Sequence, residues 1–215
     1  MTKSSDSAAH GVVVIDKPSG LSSHDVVSRV RRILNTRRVG HAGTLDPLAT
    51  GVLVMMVGEA TKLSGYLTLD DKSYEAQVAL GIATDTLDAE GTISDRAQLP
   101  AWLQDAQEAR PRIEEALQIE RDRVAQIPPL YSAIKVDGRA GYKRARAGES
   151  LELPPRAVAV HQLQLDALKP PHLKLRLKVS KGYYVRSLAS DLGQSLELPA
   201  HLSKLRRTAS GAFTL

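Results

Sequence analysis

An α+β fold, with a mixed and largely antiparallel sheet flanked by helices and loops, is what this sequence predicts. Three observations carry it. The run His172-Leu-Lys-Leu-Arg-Leu-Lys-Val179 alternates strictly, with Leu173, Leu175, Leu177 and Val179 on one face and Lys174, Arg176 and Lys178 on the other, as in a half-buried strand. Residues 22–34 and 185–196 place their apolar side chains at helical spacing instead. Strands and helices mix without the βα alternation that a parallel sheet needs.

The elements follow in order. Residues 1–10 predict a disordered tail. Gly-Val-Val-Val-Ile at 11–15 predicts a buried strand, and Asp16-Lys-Pro-Ser-Gly20 a turn. Ser22 and Asp25 have capping-box spacing, so a helix is expected through about Leu34, with Val26, Val27, Val30, Ile33 and Leu34 inward and Arg29 and Arg32 elsewhere. The loop Arg38-Val-Gly-His-Ala-Gly-Thr-Leu-Asp-Pro-Leu-Ala-Thr-Gly51 then leads into an apolar strand at 52–57. Gly40, Gly43 and Gly51 allow backbone angles closed to other residues, and Pro47 fixes the turn after Asp46. A residue before proline is pushed toward extended backbone, which keeps Asp46 out of a helix and lets its carboxylate stand out from a rigid apolar base. A lone Asp-Pro usually just opens a strand. The run of special residues here is too long for that reading.

A short helix is expected near 59–67, then a strand at 72–80 with Tyr74, Ala76, Val78 and Leu80 on one face. The acidic stretch Thr84-Asp-Thr-Leu-Asp-Ala-Glu-Gly91 misses the calcium-loop spacing and reads as a plain loop. Residues 97–118 read as two helical pieces broken at Pro111. Gln126-Ile-Pro-Pro-Leu-Tyr-Ser-Ala-Ile-Lys-Val-Asp-Gly138 reads as a proline-led strand with a turn at Asp137-Gly138, followed by a basic helix near 140–147. Weak alternation at 156–168 precedes the strict strand. Ser180-Lys-Gly-Tyr-Tyr-Val-Arg-Ser187 opens a helix carrying Leu188, Leu192 and Leu196, and 201–215 is strand-like.

Composition narrows the function classes. No cysteine is present, which removes disulfides, thiolate catalysis and Cys-based metal sites. The other histidines form no ligand-spaced pair with His41, so no metal is expected. No apolar run approaches the length of a membrane span, and the first ten residues hold no signal core, so a cytoplasmic protein is expected. Charge is uneven: residues 29–38 hold five arginines and no acid, whereas 66–120 hold twelve acids and four bases. That pattern suits a polyanion on one side, and on charge alone it suits ordinary solvated surface equally well.

Gly-His-Ala-Gly-Thr-Leu-Asp-Pro-Leu-Ala-Thr-Gly resembles the signature of the pseudouridine synthases that act on uridine 55 of transfer RNA, the TruB type. Five further pieces resemble the family in order: Gly11-Val-Val-Val-Ile-Asp-Lys-Pro-Ser-Gly20, Gly58-Glu-Ala-Thr-Lys62, the 84–91 loop, the 127–138 segment and the 180–187 segment. The resemblance implies a pseudouridine-synthase fold over 11–215 with inserted segments, acting without cofactor or metal on the T-arm and T-loop of tRNA. It implies neither DNA nor membrane as a partner, and a monomer is expected. No RNA-binding (PUA-like) domain, which bacterial members usually carry, is expected after Leu215.

The resemblance also assigns residues. Asp46 becomes the catalytic nucleophile, whether it attacks the base at C6, bonds to C1′ or assists a glycal route. Arg186 becomes its cationic partner, Tyr74 a stacking and proton-moving group, and Tyr184 and Leu205 the lining of the uridine pocket. His41 becomes a contact to the flipped RNA loop, while Lys17 and Pro18 support the loop beneath. On the residues alone, Tyr74 and Leu205 read as core side chains, and Arg186 reads as surface or functional with equal weight. Tyr183 departs from the small or hydroxyl residue usual there, and its bulk is expected at the RNA entrance. Two other classes, an RNA-binding module and an Asp-based hydrolase, fit less well: a binder needs no such carboxylate, and a hydrolase lacks its metal cluster or Ser–His pair.

Overall fold

The computed structural model describes residues 9–132, 135–136, 139–140 and 153–215. Most of the expected N-terminal tail, the Asp137-Gly138 turn and the basic helix beyond Ala140 lie outside the described residues. The fold is α+β with a mixed, mostly antiparallel sheet, as expected, and the chain divides into two compact units: Met1–Lys72 with Arg206–Leu215, and Ser73–Leu205. No described helix is long and apolar enough to cross a membrane.

The first unit is built on one strand. It holds β1 (Gly11–Lys17), α1 (Ser23–Ile33), β2 (Val39–Ala42), β3 (Thr50–Val57) and α2 (Ser64–Leu67). β3 pairs antiparallel with β1 from Gly11↔Val57 to Lys17↔Gly51, and with β2 from Val39↔Val57 to Ala42↔Val54. A strand with neighbours and side-chain packing on all sides must be apolar throughout, and β3 is buried from Gly51 to Val57. β1 ends the strand order, so the buried strand expected at 11–15 is in fact an edge, with Val12 and Val13 more than a third exposed. It also runs through Asp16 and Lys17, where a turn was expected. The capping box of α1 forms as the spacing predicts, and Val26, Val27 and Val30 pack inward. Ile33 and Leu34, at the fraying end, are exposed instead.

The second unit carries β4 (Lys72–Leu80), β5 (Ile82–Thr84), β6 (Ile93–Arg96), α3 (Ala106–Arg121) and β7 (Ala125–Gln126). Short pairs β8 (Lys135–Val136) with β9 (Arg139–Ala140), and β10 (Arg156–Ala157) with β7, precede β11 (Val160–Lys169), β12 (His172–Val179), α4 (Val185–Ser195) and β13 (Ala200–Ser210). The order β13-β4-β12-β11 forms its sheet, and β12 buries alternate residues as its sequence requires. The last residues of β13 belong to the first unit, where Arg206 and Arg207 run parallel to Thr50 and Gly51 and Ala209 meets Thr214 of β14 (Phe213–Thr214).

Pro111 does not break a helix. The break falls at Asp105, whose carboxylate caps α3 by accepting from the Gln107 N–H at 2.8 Å, and Pro111 lies within the helix that follows. Proline there forfeits one backbone bond, and the buried stripe of Ala109, Ile113, Ala116 and Leu117 outweighs that loss. Pro111→Ala restores the N–H in a helix that already exists. The expected gain is about 1–3 kcal/mol, read as a higher urea midpoint.

Candidate active site

Asp46 opens a tight turn in the first unit: the Ala49 N–H donates to the Asp46 carbonyl at 3.0 Å, with Pro47 at the position where proline pre-sets a turn. The side chain is half-buried. What surrounds it is a backbone tied down at nearly every step. The Gly43 carbonyl accepts from Arg207 Nη2 at 3.0 Å. Leu45 gives its N–H to Ser23 Oγ at 2.8 Å, and its carbonyl accepts from the same hydroxyl at 3.0 Å. The Pro47 carbonyl accepts from the Gly20 N–H at 2.9 Å and from Lys17 Nζ at 3.2 Å, and the Leu48 carbonyl accepts from Ser19 Oγ at 3.3 Å. Lys17 is fully buried, and its ammonium also donates to the Pro18 and Leu21 carbonyls at 2.9 and 2.6 Å.

Glycine is required at two of the three expected positions. Gly43 has φ +87°, and Gly51 has φ +97° with the Arg207 carbonyl where a Cβ would lie. Gly40 and His41 lie instead in β2, so the N-terminal third of the expected loop is strand. The ladder explains this: β2 takes the β3 residues that the short β13 pairing at Thr50 and Gly51 leaves open. His41 is held mostly neutral, because burial lowers its pKa first, with Arg207 and His24 adding positive charge.

Tyr74, Tyr184, Arg186 and Leu205 belong to the second unit. Tyr74 on β4 and Leu205 on β13 are buried on neighbouring strands, and Tyr184 is half-buried at the N-cap of α4. Arg186, in the first turn of α4, is only 4% exposed, which settles its position as interior rather than surface. Its guanidinium donates from Nη1 to the Thr86 carbonyl at 2.9 Å and from Nη2 to the Tyr131 carbonyl at 2.8 Å, and Nε lies 3.8 Å from Asp88 Oδ2. Asp88, also 4% exposed, is fixed in turn by Thr86 Oγ1 at 2.7 Å and the Glu90 N–H at 3.1 Å, both donating to Oδ1.

Comparison with known proteins identifies the lineage. Residues 31–185 match the family described as TruB family pseudouridylate synthase (N terminal domain). The chain is 47% identical over 215 residues to tRNA pseudouridine synthase B of Thermobifida fusca, covering 96% of this chain and 71% of that protein. It belongs to the TruB family of pseudouridylate synthases. The protein of the same name from Opitutus terrae is 45% identical, covering 95% of this chain and 83% of its own. Among solved structures, one in a crystal of a Cbf5–Nop10–Gar1 complex superposes with TM-score 0.70 at 29% identity, covering 95% of this chain and half, 50%, of that one.

Against that family pattern, Tyr183 is the residue to explain. It is not placed as an obstacle at an entrance but is buried inside the second unit, its hydroxyl donating to Glu120 Oε2 of α3 at 3.4 Å. Burial drives the Tyr183 pKa far up, and the Glu120 carboxylate adds to it. Glu120, fully buried, is held by Arg123, which also reaches Asp191 of α4 at 3.2 Å; burial raises the pKa of Asp191 while Arg123 opposes. Asp88, Ser23 and Arg207 also brace Arg186 and the Asp46 bend, and no sequence motif points to them. Asp88 sits in the 84–91 loop, to which the family resemblance assigns no residue role, and its signal is the hydroxyl residues Thr84 and Thr86 beside it. Ser23 and Arg207 act through backbone partners distant in sequence, which no local pattern exposes.

Two outcomes follow. Ser23→Ala leaves both backbone groups of buried Leu45 without their hydroxyl partner, and the expected loss is about 1–3 kcal/mol in a urea or thermal unfolding experiment. His41, followed by proton NMR, is expected to titrate below the roughly 6.5 of a free imidazole. The unfolded chain then takes the proton first. Stability contributed by neutral His41 is fully present above that value and is lost as pH falls through the folded-state pKa.

Proposed function

We propose that this TruB-family chain isomerises uridine to pseudouridine in tRNA, at position 55 of the T-loop. The reaction detaches the base from C1′ through N1, turns it and rejoins it through C5. It needs neither redox chemistry nor phosphoryl transfer. A carboxylate can bond covalently and then leave, and Asp46 is the group that fills this role. The observation that carries the reading is its place at the head of a proline turn flanked by anchored carbonyls at Gly43, Leu45, Pro47 and Leu48, inside a segment that matches the family. Preorganisation of this kind keeps a nucleophile aimed without reordering cost during reaction.

The remaining roles complete the proposal. A T-loop uridine lies within folded RNA and is flipped out before reaction, at a cost of a few kcal/mol that stacking on Tyr74 helps to offset. Tyr184 and Leu205 line the uridine pocket, His41 contacts the RNA loop, and Arg186 supplies a permanent positive charge that a lysine could not present in the same planar fork. Lys17 and Pro18 support the bend from below. The relatives named tRNA pseudouridine synthase B support tRNA as the substrate class.

The test is Asp46→Asn with unmodified tRNA. Turnover is expected to vanish while RNA affinity stays within about threefold, because one neutral amide replaces one carboxylate of the same shape. Pseudouridine mapped by chemical labelling at normal yield would remove Asp46 from the chemistry. Product at another uridine would keep the reaction and change the substrate position.

A further inference from the structure

The Gln126–Ser132 stretch, the described start of the 126–138 segment, has no task in the proposed chemistry. In the second unit it lies against the start of α4. Gln126 is 2% exposed, and its side-chain amide engages Tyr184 from both ends: the Tyr184 N–H donates to Oε1 at 2.8 Å, and Nε2 donates to the Tyr184 carbonyl at 3.1 Å. The carboxamide therefore imitates a peptide group and makes one rung of a β-ladder with a residue 58 positions away. This happens where a helix needs it. α4 has no side-chain cap of its own, and its N-cap is Tyr184. Two further bonds bind the same turn to the same stretch: Ser187 Oγ donates to the Ile127 carbonyl at 3.2 Å, and Arg186 Nη2 donates to the Tyr131 carbonyl at 2.8 Å.

We propose that Gln126 is a positioning residue for this enzyme: its carboxamide fixes the backbone of Tyr184 and thereby the first turn of α4, which sets the orientation of the Tyr184 ring and the Arg186 guanidinium toward the reacting uridine. The inference rests on the tRNA-isomerase reading for what those two side chains do. It does not rest on that reading for the clamp itself. No other side chain type serves as well. Glutamate of the same size turns two acceptors toward a carbonyl, methionine fills the volume with no polar group, and asparagine is one methylene short.

The experiment uses Gln126→Met and Gln126→Ala in the full chain with unmodified tRNA. Single-turnover rate at saturating enzyme is expected to fall on the order of 10- to 100-fold. RNA Kd is expected to stay within about threefold, and thermal unfolding to remain cooperative. A role in general packing would not produce that split. Amide hydrogen exchange supplies the readout independent of activity: peptides covering 180–188 are expected to exchange faster in both variants, while those covering the later turns of α4 are unchanged. Unaltered exchange at 180–188, an unaltered rate, a rate lost only in proportion to RNA binding, or failure of both variants to fold each overturns the proposal. If the wild-type chain makes no pseudouridine, the enzymatic reading and the positioning role fall together, whereas accelerated exchange would still establish the clamp.

Discussion

The buried ammonium of Lys17 is the constraint around which the first unit is arranged. Placing a charged nitrogen at zero exposure is costly unless its protons find oxygen, and the main chain supplies three carbonyls for it. Those carbonyls belong to Pro18, Leu21 and Pro47, so a single side chain ties the end of β1, the approach to α1 and the bend that presents Asp46. The geometry cannot relax at one of these places without disturbing the other two. Charge-assisted bonds of this kind are roughly twice as strong as neutral ones, which makes them suited to a bend that must not drift.

The second unit uses the same device with a different cation. Arg186 is held by carbonyl dipoles from two separate loops and by the Asp88 carboxylate, itself fixed by a hydroxyl and an amide. Buried charge survives only in such company. In the same unit, Glu120, Arg123, Asp191 and Tyr183 form a separate polar group that connects α3 to α4. Tyr183 thus adds a hydroxyl contact to a helix that a smaller residue at that position would leave unmade, and its bulk is accommodated by packing.

What could be read beforehand was what short-range physics determines. The capping box at Ser22 and Asp25, the alternation of β12, the one-faced pattern of β4 and the all-apolar β3 each follow from neighbours in sequence, and each formed. Errors clustered where tertiary context decides. Val12 and Val13 look like core but lie on an edge, and Pro111 looks like a breaker but sits in a helix whose packing outweighs one lost bond. His41 looked like loop and is strand because a partner at Met55 is available. At the candidate site, Asp46 and its turn were legible from Pro47 and the glycines. The interior place of Arg186 was not, since nothing local reveals that Thr86 and Tyr131 bring their carbonyls to it.

Oxygens of the main chain are the same whatever side chain the residue bears, so position 131 can change identity with little effect on the guanidinium it holds, whereas position 86 also needs a hydroxyl to fix Asp88. Their spacing has no such freedom. One residue inserted or deleted between 81 and 88, or between 126 and 131, would carry an acceptor away from the cation. Divergence in this lineage should therefore spare segment length there, and the hydroxyl at 86 with the carboxylate at 88, while letting the residue at 131 vary.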